Sequence, residues 1–179
     1  IIKMGNAVGA ALLNATKALV EQNAALAKQV MLNDDVIDQM EVDIEDKCML
    51  LIARQQPLAR DLRIIATGLK ITTDLERMGD HAYDIAKLTL KMASDQYIKP
   101  MIDIPRMAQL ACQMLQDSLD AYINLDITLA EQVCIADDVV DDIYSQLFRE
   151  LLTYMIEKPS NIHQATQLLF IARYLERVA

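Results

Sequence analysis

Apolar residues recur at the three- and four-residue spacing of an α-helix along nearly the whole chain, and strict alternation of apolar and polar residues is absent. The pattern predicts an all-α protein with six main helices. We place them at residues 2–32, 34–56, 58–92, 106–122, 137–157 and 160–179, with a short extra helical piece after Asp126. Whether the first helix kinks near Asn23 is left open.

The two halves of the chain are similar in sequence. With a shift of 103 residues, Asp34-Asp35-Val36 recurs as Asp137-Asp138-Val139, and with a shift of 100 residues Leu75-Glu76-Arg77 recurs as Leu175-Glu176-Arg177. Long helices with short joints pack antiparallel. We therefore predict two tandem three-helix bundles related by internal duplication, at residues 1–98 and 104–179, with a linker at residues 93–105.

Composition excludes several classes of protein and partner. The chain has 53% hydrophobic residues, only four glycines and no tryptophan, which argues against disorder and against a turn-rich β-sandwich. Its 26 acidic and 17 basic residues give a net charge of −9, so we expect neither nucleic acid nor an anionic membrane as a partner. We expect no segment that enters a membrane. The cysteines, Cys48, Cys112 and Cys134, form no CxxC pair and are interpreted as buried thiols of a cytoplasmic protein.

Acidic residues occur in pairs that lie one helical turn apart. The pairs are Asp34 and Asp38, their repeats Asp137 and Asp141, and Glu76 and Asp80. Such a pair puts two carboxylates on one helix face about 6 Å apart, and their repulsion costs about 0.2–0.5 kcal/mol. If the acidic face of the second helix meets the pair on the third, the site offers only oxygen ligands, which suit hard cations. His81 adjoins Asp80 and could add a nitrogen ligand, although its position lies about 100° further round the helix.

Ordinary structural roles for these acids remain open at this point. Asp34 and Asp137 each stand where a helix is expected to begin, and an acid there caps free N–H groups. Glu76 and Asp80 are mid-helix and equally suit a solvated face beside Arg77. No glycine-rich phosphate loop is present, and neither histidine follows a glutamate by three residues as in di-iron proteins.

The repeat and the acidic pairs resemble the PhoU family. The resemblance is carried by residues 34–41, 53–63, 74–82 and 172–177 and covers essentially the whole chain. It implies two three-helix bundles whose Glu/Asp-x-x-x-Asp motifs bind multinuclear metal clusters, usually iron and sometimes zinc or another divalent cation. Transferred by position, the metal ligands are Asp34, Asp38, Glu76 and Asp80 in the first copy and Asp137, Asp141 and Glu176 in the second.

The second site is expected to hold fewer acids than the first. Tyr144 and Phe148 occupy the positions that correspond to Glu41 and Glu45. The partner four residues after Glu176 would fall at position 180, after Ala179. The second site is therefore incomplete in this sequence.

The resemblance also implies a function. Members of the family are cytoplasmic, non-enzymatic regulators that silence the phosphate-starvation response. They contact a sensor histidine kinase and the ATPase of a phosphate ABC transporter, and reach the membrane only through these partners; homodimerisation stays open. Two alternatives remain: a metal-dependent hydrolase such as a phosphatase, in which clustered cations activate water, and a metal-free helical adaptor with solvated acids.

Overall fold

The computed structural model describes residues 1–179 and contains helices without any β-strand, which confirms the all-α fold class. The seven α-helices are α1 (Ile2–Val20), α2 (Ala24–Leu32), α3 (Asp34–Gln55), α4 (Ala59–Met92), α5 (Asp103–Asn124), α6 (Ile127–Glu157) and α7 (Ile162–Val178), with a 3₁₀ turn at Pro159–Asn161 before α7.

Equivalent caps mark the internal repeat. Asn23 caps α2 by accepting a hydrogen bond from the Leu26 backbone N–H at 3.0 Å. The side chain of Asp126 caps α6 in the same way, accepting from the Leu129 N–H at 3.0 Å. Residues 21–23 thus divide the first predicted helix into α1 and α2, and Gln22 there adopts a left-handed φ of 51°.

Two of the predicted boundaries are wrong. The short piece after Asp126 and the helix predicted at residues 137–157 form one continuous helix, α6, because Ala136 continues the helix at the position where the first copy has Asn33. Pro105 belongs to the first turn of α5 rather than to the linker, a place where its missing N–H costs nothing. Pro57 ends α3 as predicted, and Gln56 before it is left-handed.

The helices form two bundles that share a hydrophobic core. The first bundle contains α1 to α4, and the second contains α5 to α7. They join where α1 packs on α5 and α4 packs on α7, and one cluster of buried side chains runs through both. Gly5 allows α1 to approach α5 closely, since a Cβ there would overlap Leu119 Cδ1.

The connection between the bundles is ordered. Tyr97 donates a hydrogen bond to the Leu19 carbonyl at 2.5 Å in the first bundle. The buried Lys99 ammonium lies 2.7 Å from the Asp103 carboxylate and 2.6 Å from that of Glu150 in the second bundle. Gln164 accepts from the Ile98 N–H at 2.7 Å. The segment expected to be a linker therefore fastens the two bundles together.

A long helical hairpin extends from the first bundle. No residue is buried between Ile37 in α3 and Gly68 in α4. We call residues 47–67 the distal hairpin; its sequence includes Lys47, Arg54, Arg60 and Arg63 but only one acid, Asp61. Of the cysteines, Cys112 is buried, but Cys134 is exposed and Cys48 partly exposed, so the expectation of three buried thiols is wrong. No helix combines the length and the low polarity that crossing a bilayer requires.

Candidate metal centre

The start of α3 packs against the middle of α4 through a glycine. Ile37 is the buried residue of α3, and its Cγ2 lies 3.1 Å from where a Cβ on Gly79 would stand. Asp34 Oδ1 lies 3.6 Å from that same point. Because Gly79 has no side chain, the first turn of α3 can lie close to α4, and Asp34 comes next to the helix that carries Glu76 and Asp80.

The acids of the two helices influence one another electrostatically. The pKa of Asp34 is raised to about 6, first by burial and then by the charges of Asp38, Asp80, Asp35 and Asp84. The pKa of Glu76 is raised by burial and then by the charges of Asp80, Glu41, Asp38 and Asp34. We call this set the acidic face: Asp34, Asp38, Glu41, Glu76, Asp80 and Asp84. The four acids expected in the first site all belong to it.

The structure weakens the capping interpretation of Asp34 and Asp137. Asn33 is the N-cap of α3, no side-chain hydrogen bond caps that helix, and the pKa of Asp34 is raised, whereas capping of free N–H groups would lower it. Asp137 lies well inside the continuous helix α6 and has no free helix end to cap.

The donor set of the acidic face fits hard cations in its chemistry. It consists of carboxylate oxygens alone, and bound positive charge would offset the burial and the repulsion that together raise the pKa of Asp34 and Glu76. The side chains face one another without converging: no three His, Cys, Asp or Glu side chains lie close enough together to hold a metal ion. Asp38 and Asp80 are exposed, so their carboxylates can turn toward a common ion without repacking the core.

The second copy is arranged differently. Burial raises the pKa of Asp137, as do the charges of Asp141 and Asp138. Glu176 instead accepts a hydrogen bond from the Arg173 guanidinium at 2.7 Å, and that guanidinium lies 5.8 Å from the centre of the Tyr144 ring. The first copy has Thr73 at the position of Arg173. Among the three acids of the second site, Glu176 is therefore already paired with Arg173.

Two side chains near the acidic face behave differently from what the sequence suggested. His81 stacks on Tyr174 of α7, with ring centres 5.3 Å apart, and so lies on the α7 side of α4. Burial lowers the pKa of His81, and the charge of Arg177 lowers it further. Asp84 was not among the expected ligands, although it continues the four-residue spacing of Glu76 and Asp80. The four-residue spacing in the sequence could therefore have identified Asp84 as part of the acidic face.

A comparison with protein-family models finds one match, described as the PhoU domain, over residues 1–89 and 104–179. The chain is 46% identical over 177 residues to a phosphate-specific transport system accessory protein PhoU homolog of Aquifex aeolicus, covering 99% of this chain and 80% of that protein. It is 41% identical to a homolog with the same description from Clostridium acetobutylicum, covering 99% of this chain and 82% of that protein.

Solved structures show the same fold. The crystal structure of PhoU from Pseudomonas aeruginosa matches with a TM-score of 0.93 and 35% identity, over 99% of this chain and 85% of that one. The phosphate transport system regulatory protein PhoU from Streptococcus pneumoniae matches with a TM-score of 0.88 and 30% identity, over 98% of this chain and 83% of that one.

Proposed function

Because the chain belongs to the PhoU family, we propose that it is a cytoplasmic negative regulator of phosphate uptake and of the phosphate-starvation response. The observation that carries this proposal is the description of its relatives, which are named accessory or regulatory proteins of phosphate transport systems. The proposed partners are the ATPase of a phosphate ABC transporter and a sensor histidine kinase. The action is contact between proteins, without chemistry on phosphate.

The acidic face supports a role for cations in this regulation. Two helices bring their carboxylates together against their mutual repulsion, and cations would neutralise that repulsion and fix the orientation of α3 on α4. Asp34, Asp38, Glu76 and Asp80 would hold the metal, proposed to be a multinuclear iron cluster, with zinc or another divalent cation as the alternative. In the second copy Asp137, Asp141 and Glu176 would form a weaker site, since Arg173 already pairs with Glu176.

The distal hairpin is the surface best suited to contact a partner. Large apolar side chains are exposed along it, including Leu58 at 81% and Met49 at 61%, among basic residues. Residues 34–46, directly before it on α3, contain seven acids and no base. Exposed apolar groups ringed by charges are typical of protein contact sites. A change in how α3 sits on α4 at the acidic face would reorient this hairpin.

The test is a phosphate-starvation reporter in bacteria that lack their own protein of this family. We expect the chain to silence the reporter when phosphate is abundant, and Leu58→Ser with Met49→Ser to abolish silencing while the protein remains folded and abundant. A matched control replaces the exposed Ile127 and Ile135 of α6 with serine and should leave silencing intact. Failure of the parent chain to silence the reporter would contradict the regulatory proposal. Hydrolysis of a phosphate monoester by purified protein in the presence of iron, zinc or manganese would support the hydrolase instead.

A further inference from the structure

We propose that an exposed apolar surface on α6 and α7 pairs with the same surface of a second copy of this chain, with the two α6 helices antiparallel. We call it the outer apolar face: Phe148, Leu152 and Ile156 of α6 with Ile162 and Phe170 of α7. The two phenylalanines of the chain both belong to it, and both are exposed. Apolar surface of this kind is typical of a site that a protein partner covers.

The first copy of the repeat has charged residues where the second has its phenylalanines. With the shift of 103 residues, Phe148 corresponds to Glu45. With the shift of 100 residues, Phe170 corresponds to Lys70. A helix face that meets only water normally carries charged side chains, as these positions of the first copy do. The difference between the copies therefore indicates that the outer apolar face is covered by a partner.

The apolar residues of α6 form a self-complementary row. Phe148, Leu152 and Ile156 follow one another at four-residue spacing, with the leucine in the middle. A twofold axis at Leu152 would bring Phe148 of each copy opposite Ile156 of the other copy. This is the property of an isologous interface, in which residue i contacts residue j and j contacts i. The row thus fits a second copy of itself.

The charged residues beside this row fit the same arrangement. Arg149 and Glu157 lie in the next row of α6, on either side of Thr153. Both are exposed, and neither has an ion-pair partner within 4.0 Å in the chain. In the antiparallel pair, Arg149 of each copy would stand opposite Glu157 of the other. A parallel pair would instead bring like charges to the same level, so the charges favour the antiparallel arrangement.

The net charge of −9 opposes self-association in general, but little of it lies at this surface. Between residues 143 and 156 the charged side chains are Arg149 and Glu150. The Glu150 carboxylate already lies 2.6 Å from the Lys99 ammonium. Two copies can therefore meet here without bringing uncompensated acids together. The inference goes beyond the proposed regulatory function and does not depend on metal binding.

The experiment is size-exclusion chromatography with light scattering, over a range of micromolar concentrations, on protein from which a chelator has removed any metal that could bridge two copies. We expect the mass of two 20.1 kDa chains. Phe148→Ser with Leu152→Ser should weaken dimerisation at least about thirtyfold and give the mass of one chain. The matched control, Ile127→Ser with Ile135→Ser, removes exposed apolar side chains of the same helix outside the face and should remain dimeric.

Charge reversal tests the antiparallel arrangement. Arg149→Glu and Glu157→Arg should each weaken dimerisation about tenfold at low salt, because like charges then face each other. Their combination should recover the parent's affinity, since unlike charges face again. Circular dichroism checks that each variant keeps its helices. A monomeric parent, or undiminished dimerisation of the Phe148 and Leu152 variant, would overturn the proposal and leave the face to a different molecule. A combined variant that stays as weak as the single ones would overturn the antiparallel pairing.

Discussion

At Asp34, the packing of α3 on α4 buries a carboxyl group beside other acids and raises its pKa. The buried Ile37, one turn further along α3, packs against Gly79. This contact places the Asp34 carboxylate near those of Asp38 and Asp80. The carboxyl group loses water and gains negative neighbours, and both effects favour its neutral form. Asp34 is therefore protonated more readily than an ordinary aspartate. A cation would reverse this preference.

Replacing Asp34 with asparagine should change how stability depends on pH in chelated protein. The pKa of this carboxyl rises from its ordinary value of 3.8 to about 6 in the folded chain, so the folded state binds more protons between these values. Stability of the parent therefore falls as pH rises from about 4 to 6 and stays lowered above. Over this range the free energy of unfolding of Asp34→Asn should rise relative to that of the parent, because asparagine carries no charge. The gain should not exceed about 1 kcal/mol, since solvent screens the partly exposed group.

Urea denaturation at pH 4 and pH 7 measures this difference. The matched control is Asp46→Asn, which removes an exposed acid from the same helix. Its stability should follow that of the parent across the pH range. A constant difference between Asp34→Asn and the parent at both pH values would contradict the electrostatic description of the acidic face.

At the scale of helices, the contact between α3 and α4 decides where the acids lie. The only buried residue of α3 is Ile37, so most of this helix is held to the body by few apolar contacts. Gly79 sets the approach, because any side chain there would meet Ile37. The spacing between the two rows of carboxylates thus depends on a single small residue of α4.

Gly79→Ala should lower both the stability of the fold and the proposed affinity for metal. The added methyl would stand 3.1 and 3.3 Å from two carbons of Ile37 and force α3 outward. Overpacking of about 1–3 kcal/mol is partly offset by a gain of about 1 kcal/mol in helix propensity, so we expect a net loss of up to about 2 kcal/mol. Affinity for the metal should drop at the same time.

Thermal unfolding and titration with ferrous or zinc ions provide the two measurements. Gly9→Ala is the control, because a Cβ at Gly9 meets nothing within 4 Å. It should raise stability by up to about 1 kcal/mol and leave metal affinity unchanged. Equal metal affinity in Gly79→Ala and the parent would show that the approach of α3 does not set the site.

Local signals in the sequence predicted the helices well and failed where the two copies differ. A helix begins after Asp126 and Pro57 ends its helix, as predicted, whereas Asn23, where only a kink was considered, caps a separate helix. The continuous α6 was missed because Asp137 looks like a helix start, although Ala136 before it carries no stop signal. The acidic pairs were found by their spacing. Their meeting across α3 and α4 depends on Gly79, whose partner in α3 lies 42 positions earlier and leaves no local signal.

Charge is strongly separated along the chain. Seven acids precede the distal hairpin on α3, whereas the hairpin itself is basic. How the bundles dock could not be predicted from periodicity, since it depends on Gly5 and on the contacts of Tyr97 and Lys99 with distant helices. The net charge of −9 is therefore the sum over surfaces of opposite charge, among them the acidic start of α3 and the basic distal hairpin.

We propose that the acidic face of α3 and α4 binds several metal ions. Elemental analysis of protein purified without chelators tests it directly, on the parent, on Glu76→Gln with Asp80→Asn, and on Asp43→Asn with Asp46→Asn as a control that removes the same charge from exposed positions of α3. We predict more than one metal ion per chain, chiefly iron, in the parent and the control. In the Glu76 and Asp80 variant we predict loss of most of the metal with unchanged helicity. A metal-free parent, or a variant that keeps its full metal content, would contradict the claim.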